Sequence, residues 1–306
     1  MNTSIRRARS IAARMVAGAV LCTACVGAAV AAGFDPPPIA AMPGTEHHVG
    51  KVIWVELITP NLAGAEQFYA GLFGWTFQDM SSGDTQYAIA LANGERIGGI
   101  VQHPIKAGEK RQPSWLTFIA VQDVDAATRL ALSNGATVVR APHTYNSRGR
   151  QAILRDPQGA AFAIMASYTA DPADYLAAPG EWIWSSLLAS DAGPDAAFYQ
   201  TVFGYEVFDL ESEDGTEHVI LSSDNYARAG VHTLPADAMR RHPRWLNFVR
   251  VADAAGAATQ AVALGGSVLV PPRVDRHGGR IAVLADPSGA AFGVMEWTET
   301  DSKEAP

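Results

Sequence analysis

At 306 residues, with 48% hydrophobic and 18% charged residues, the chain is long enough for two folded domains and has the composition of an ordinary globular protein rather than a disordered one. Its formal net charge of −8 argues against nucleic acid and anionic membranes as partners, since both carry the same sign.

In chain order, a targeting pattern comes first. Arg6, Arg7, Arg9 and Arg14 precede an apolar stretch from Met15 to Val30, and Ala29-Val30-Ala31 places small residues where a signal peptidase cuts. Residues 1–31 therefore read as a signal peptide, and the protein as periplasmic or secreted. The apolar stretch is short for a spanning helix, and no basic stop-transfer segment follows it; an uncleaved anchor is the alternative. A second alternative is a lipoprotein anchored at Cys25, because Thr23-Ala24 before it resembles a lipobox. Cys22 and Cys25 are the two cysteines, so the processed chain has neither disulfide nor thiol nucleophile. The 23 Lys and Arg less these four arginines leave 19 against 31 acidic residues, which makes the mature protein still more acidic. No membrane partner is expected beyond the leader or a lipid at Cys25. Residues 32–49, with Pro36-Pro37-Pro38 and Pro43, read as a Pro-rich linker.

The next 119 residues, 50–168, hold a legible series of elements. Val52–Thr59 is rich in β-branched and aromatic residues and reads as a strand. Asn61 is a helix N-cap, Leu62, Ala65, Phe68, Tyr69, Leu72 and Phe73 form an apolar stripe, and Gly74 ends the helix. Short strands follow at Trp75–Met80, Gln86–Leu91 and Ile97–Val101. The order then restarts: strand Trp115–Val121, helix Val124–Asn134, and strands Thr137–Arg140, Arg150–Arg155 and Ala160–Ala166. Asp156-Pro157-Gln158-Gly159 is a turn joining the last two strands.

The whole series recurs 130 residues later. Phe68-Tyr69 becomes Phe198-Tyr199, Trp115-Leu116 becomes Trp245-Leu246, and Asp156-Pro157-Gln158-Gly159 becomes Asp286-Pro287-Ser288-Gly289. Near residues 98–104 the offset slips by one. The second copy spans 180–298, after a linker at 169–179, and a tail of 299–306 closes the chain.

Paired βαβββ units, with Phe-Tyr and Phe-Gly after the first strand and Asp-Pro-x-Gly before the last, resemble the vicinal oxygen chelate superfamily of glyoxalases, bleomycin-resistance proteins and extradiol dioxygenases. The resemblance covers about residues 50–298. It implies an α+β fold: a tandem duplication of a domain made of two βαβββ modules, whose eight strands curl into a half-open cup with helices outside. It also implies a ligand, and in many members a metal, inside the cup. The matching ligand positions are Trp54, Thr117, Gly98 or Gly99, and Ala163, then Trp184, Asn247, about Gly230, and Gly293. None is His or a carboxylate, so the expectation is no metal and no cofactor.

Several residues are candidates for a site, each with a plainer structural role beside it. Strand alternation sets Trp54 and Glu56 on one face, and Trp115 and Thr117 are expected on the equivalent face; the second copy offers Trp182, Trp184, Ser186, Trp245 and Asn247. The tryptophans would line a ligand cup or fill a core. Glu56, a carboxylate on an apolar strand, would be a general base or a buried hydrogen-bonding group. Arg150 and Arg280, each after a Gly, would clamp an anion or pair with a neighbouring acid. His232, and the loop residues His143, Tyr145 and His277, would reach the opening or sit at the surface. The expected function is metal-independent binding of a small molecule in an aromatic-lined cup by an exported protein. A lyase or dioxygenase of the same superfamily and a non-catalytic interaction module are the alternatives.

Overall fold

The computed structural model describes residues 34–41, 44–104, 112–210, 218–234, 242–275 and 279–297. The leader with its two cysteines, His277 and the C-terminal tail lie outside them.

The first copy runs β1 (Val52–Thr59), α1 (Leu62–Phe73), β2 (Thr76–Asp79), β3 (Tyr87–Ala92), β4 (Glu95–Gln102), β5 (Ser114–Ala120), α2 (Val124–Ser133), β6 (Thr137–Tyr145), β7 (Gly149–Arg155) and β8 (Ala161–Ser167). The second repeats it as β9 (Trp182–Ala189), α3 (Ala192–Phe203), β10 (Glu206–Leu210), β11 (His218–Ser223), β12 (Tyr226–Thr233), β13 (Arg244–Arg250), α4 (Ala254–Ala263), β14 (Ser267–Val274), β15 (Arg280–Ala285) and β16 (Ala291–Met295). Local chemistry sets the helix starts. Asn61 accepts from the Gly64 amide at 3.0 Å, and Asp123 accepts from Asp125 and Ala126 at 2.9 and 3.0 Å, which satisfies donors the first turn would leave unpaired.

Each copy is one open eight-stranded sheet. The orders are β2-β3-β4-β1-β5-β8-β7-β6 and β10-β11-β12-β9-β13-β16-β15-β14, so the two duplication levels are both visible in the topology. Within a module the first and last strands run parallel, as in Glu56 beside Gly99, and the modules join antiparallel at β1 and β5. The two D-P-x-G turns are equivalent: Asp156 Oδ1 accepts from Gln158, Gly159 and Ala160, and Asp286 Oδ1 from Ser288 and Ala290.

The convex faces of the two sheets share one apolar layer. Val55, Leu57, Phe68, Tyr69 and Trp115 of the first copy pack with Ala258, Leu284, Phe292 and Val294 of the second. Ile119, Leu154 and Phe162 pack in turn with Phe198, Tyr199, Val219 and Trp245. Helix α1 thus meets α4 and α2 meets α3, while β5 and β13 meet directly at the centre. Two reciprocal clasps fasten the layer. Tyr199 donates to Asp156 at 3.0 Å and receives the Trp245 indole N–H at 2.9 Å. Tyr69 donates to Asp286 at 3.3 Å and receives that of Trp115 at 2.9 Å. The concave faces, the two cups, look outward from this layer.

One group in the layer breaks the symmetry. Asp195, on the first turn of α3, stands where the first copy has Ala65, and neither of its buried oxygens makes a well-formed hydrogen bond. Burial, then the nearby Asp156 charge, pushes its carboxyl up to about 8, although the nearby Gln158 side chain opposes the shift. It is therefore protonated in the fold at neutral pH and ionised in the unfolded chain. The unfolded state binds fewer protons between the ordinary value of 3.8 and about 8, so stability falls as pH rises across that window and levels off above it. Asp195→Asn should raise the urea midpoint at pH 7 and flatten its decline over that window. An unchanged pH slope in the variant would show that Asp195 is not the titrating group.

Candidate functional site

The two cups begin from the same strands and hold different chemistry. In an antiparallel pair, residues directly opposite share a face. Trp54 stands opposite Phe118 and Glu56 opposite Leu116, so the first cup is lined by Trp54, Glu56, Leu116 and Phe118, together with Tyr87, Ile89, Ile153, Ala163 and Met165. Trp184 likewise stands opposite Phe248 and Ser186 opposite Leu246 in the second cup.

This register corrects the expected faces of four residues. Trp115, Thr117, Trp245 and Asn247 point into the layer between the sheets, not into the cups. The two tryptophans are the indole donors of the clasps. Thr117 and Asn247, at equivalent places in the two copies, hydrogen-bond each other at 3.0 Å, and Ser185 donates to Asn247 at 2.8 Å. Trp182 also lies in the layer, its ring 5.0 Å from that of Trp115, because an irregularity before Trp184 reverses the alternation. Arg150 is a half-exposed strut from β7 to Asp125 of α2, with two contacts of 2.7 Å that hold the Asp125 carboxyl below its ordinary range. Arg280 is exposed at the start of β15, where its backbone N–H donates to Glu296. His143 packs edge-on against Tyr145, whose hydroxyl accepts from Arg140.

The first cup is filled by the chain itself. Arg148, only 1% exposed, reaches across it. Its Nη1 donates to Glu56 at 2.9 Å, its Nη2 to the Tyr87 hydroxyl at 2.7 Å, and its guanidinium lies 5.2 Å from the Trp54 ring centroid. Burial pushes the Tyr87 phenol well above its ordinary range, so it stays protonated and donates to Glu56 at 2.9 Å. Tyr87 can cross the cup because Gly99 is beneath it; a Cβ there would meet the hydroxyl at 2.0 Å. Residues 34–39, within the stretch read as a linker, close the mouth. Phe34 stacks near Tyr87 at 5.2 Å, Ile39 is 2% exposed, and the Pro37 carbonyl accepts from Arg148 Nε at 2.8 Å. Glu56 is thus one half of a buried ion pair and not a base with room for a substrate.

The second cup has no such cross-brace among the described residues. Ser186 replaces Glu56, and His218 and His232 stand where the first copy has Tyr87 and Val101. Their rings stack at 3.9 Å, and the Ser186 hydroxyl lies 3.4 Å from His232 Nε2. Trp184, Ile183, Leu188, Ile281 and Val283 are only partly buried around the fully buried Leu246 and Phe248. A shallow cleft of about 380 Å³ also opens between α1 and the start of α4; it belongs to the seam between the copies and to neither cup.

Among the described residues, the donor sets do not fit a catalytic metal. Of the expected positions in the first copy, Thr117 faces the layer, Trp54, Gly99 and Ala163 offer no metal donor, and Glu56 beside them is held by Arg148. In the second cup Gly293 lies so close under Phe248 that even a Cβ would sit 2.1 Å from that ring, which leaves no space for a ligating side chain. His218 and His232 supply two donors, and no group of three His, Cys, Asp or Glu comes together among the described residues.

Comparison with known proteins sets the class. Residues 47–164 match the model of the Glyoxalase/Bleomycin resistance protein/Dioxygenase superfamily, and residues 185–295 that of a glyoxalase-like domain. The "Putative glyoxylase CFP32" of Mycobacterium tuberculosis is 32% identical over 254 residues, which cover 82% of this chain and 97% of that protein. The "Anthracycline biosynthesis protein DauV" of Streptomyces sp. (strain C5) is 32% identical over 262 residues, 82% of this chain and 94% of its own. Among solved structures, the Mn(II)-bound glyoxalase of Novosphingobium aromaticivorans shares the fold at a TM-score of 0.57 and 15% identity, covering 82% of this chain and 83% of its own. The 2,3-dioxygenase LapB of Pseudomonas sp. KL28 does so at 0.58 and 15%, covering 83% and 94%. The chain belongs to the glyoxalase/bleomycin-resistance/dioxygenase superfamily, as a tandem two-domain member.

Nothing local in the sequence marks Arg148, Tyr87, His218 or residues 34–39 as parts of a cup. Arg148 follows Asn146-Ser147 in what looks like an ordinary turn, and only the fold carries it across the cup. Removing one partner of a buried pair leaves the other uncompensated. Arg148→Met should therefore cost roughly 3–5 kcal/mol in chemical denaturation, and adding Glu56→Gln to it should restore most of that loss. A loss under about 1 kcal/mol for Arg148→Met would place the pair among solvent-screened ones.

Proposed function

We propose that this is an exported, metal-independent small-molecule-binding protein whose ligand occupies the cup of the second domain. The observation that carries this reading is the asymmetry of the cups. The first is filled by Arg148 and residues 34–39; the second keeps a partly exposed indole, Trp184, beside the polar edge of Ser186 and His232. A concave apolar wall with a few polar groups is the ordinary composition of a small-molecule site. A flat ring would stack on Trp184, and its oxygen would meet His232 or the Ser186 hydroxyl. The relatives named for anthracycline biosynthesis accord with a planar organic ligand.

A second reading is favoured by the 3.4 Å approach of Ser186 to His232: the same cup acting as an enzyme, with His232 taking a proton from bound substrate. The relative named as a glyoxylase accords with that reading.

The test is a screen for planar aromatic compounds that quench tryptophan fluorescence, followed by titration of variants. Trp184→Ala should weaken a true ligand at least tenfold, since an aromatic wall adds about 1 kcal/mol beyond its buried area. Trp115→Ala should lower stability and leave affinity alone, and a chelator should change neither. Binding that ignores Trp184→Ala removes the ligand from this cup. Binding lost to a chelator and restored by one divalent metal overturns metal independence. Turnover of a hit that stops in His232→Gln moves the protein to the enzyme reading.

Export has its own check. N-terminal sequencing of material recovered outside the cytoplasm should begin at Ala32 or Gly33. An acylated Cys25 start would make the protein a lipoprotein, and a retained Met1 would mean an anchor.

A further inference from the structure

We infer that the cup of the first domain is a second ligand site held shut by residues 34–39, and that it takes a neutral compound with an apolar ring and a carbonyl-type acceptor. This site is separate from the one in the second domain, and its failure would leave that reading intact.

The plug is an addition to the domain, not part of it. The family match in the first copy begins at residue 47, and the segment lies before it. The segment joins neither sheet: no backbone hydrogen bond pairs residues 34–39 with any strand among the described residues. Three groups hold it instead. Arg148 Nε donates to the Pro37 carbonyl at 2.8 Å, Arg96 Nη1 to the Pro38 carbonyl at 2.9 Å, and the Ser147 amide and hydroxyl reach the Asp35 carboxylate at 3.1 and 2.9 Å. The remainder is apolar contact by Phe34 and Ile39. Such a segment can leave without opening the sheet.

What it occupies defines the ligand. Phe34 supplies a ring beside Tyr87, and the Pro37 carbonyl supplies an acceptor to Arg148. The charge of Arg148 is already balanced by Glu56 at 2.9 Å, so an anion would bring a surplus charge into an apolar space. A neutral acceptor satisfies the guanidinium as Pro37 does.

The experiment uses the full chain and Nile red, a neutral aromatic dye that carries a carbonyl and brightens in apolar surroundings. Phe34→Ala/Ile39→Ala should bind one more equivalent of dye than the parent. That added equivalent should weaken at least tenfold when Trp54→Ala is introduced, and a capped Phe-Asp-Pro-Pro-Pro-Ile peptide should displace it. Trp184→Ala should not affect it. A folded double variant with the parent's stoichiometry overturns the inference, as does dye uptake that never saturates and ignores both the peptide and Trp54. Should the double variant fail to fold, Asp35→Ala removes only the exposed tie to Ser147. It should tighten dye binding at the same Trp54-dependent site at least threefold, and no change there overturns the inference equally.

Discussion

Everything else in this molecule depends on the apolar layer between the two sheets. An open eight-stranded sheet with one face bare would expose a large hydrophobic surface, and here each copy covers the other's convex face through four helices. The layer also contains polar groups, and these are placed in reciprocal sets: Tyr69 on Asp286, Tyr199 on Asp156, Thr117 on Asn247. Each set consists of one residue from each copy. Removing one partner leaves a buried donor or acceptor unmatched, at about 1–3 kcal/mol, so the sets fix the register of one copy on the other more than they add to stability. The motif residues that repeat most clearly, Phe-Tyr in the first helix and Asp-Pro-x-Gly before the last strand, are the ones that meet here. Their recurrence therefore reflects the assembly of the halves and not catalysis.

With the convex faces committed, the concave faces are free to differ. Ser186 stands at the place of Glu56, His218 at that of Tyr87 and His232 at that of Val101, with the same strand pairing in both copies. The cup walls pack within their own copy and not against the other, so their chemistry can differ between copies without changing how the copies meet. Asp195 in place of Ala65 shows the reverse case. It lies within the shared layer, and its cost appears as a carboxyl pushed up to about 8.

The sequence made the architecture legible because element type, order and repeat are local properties. The stripe of Phe68, Tyr69 and Leu72 marks a helix, and a constant offset marks a duplication. Which face of β5 looks into the cup is not local. It depends on the register of β5 against β1, which sets Trp54 opposite Phe118 and Glu56 opposite Leu116, so that Thr117 pairs with Val55 on the other face. A shift of one residue exchanges every side chain between faces, which moved Trp115, Thr117, Trp245 and Asn247 from the cups to the layer. Arg148 and Phe34 are further from sequence reasoning still. Arg148 reaches Pro37 across 111 residues and Phe34 packs on Tyr87, and nothing in Asn146-Ser147-Arg148-Gly149 distinguishes a buried cross-brace from a solvated turn.

The composition of the plug follows from the cup it closes. A chain segment entering an apolar space must bring few unpaired N–H groups, and Pro36, Pro37 and Pro38 bring none. Prolines also have less backbone freedom to lose than the roughly 1–2 kcal/mol of an ordinary residue, which offsets ordering against the about 1.5–3 kcal/mol gained from burying each of Phe34 and Ile39. Ordering the segment and burying its two apolar side chains are therefore opposing contributions of the same order. Arg148 tips that balance toward occupancy. Two arms of its guanidinium are taken by Glu56 and Tyr87, and the third donor, Nε, faces the mouth. Left empty, the cup would strand that donor in apolar surroundings, so something with an acceptor must always stand there. Among the described residues the second cup has Ser186 and His232 at the corresponding places and no guanidinium aimed at its mouth, so the two copies differ in what their cups require.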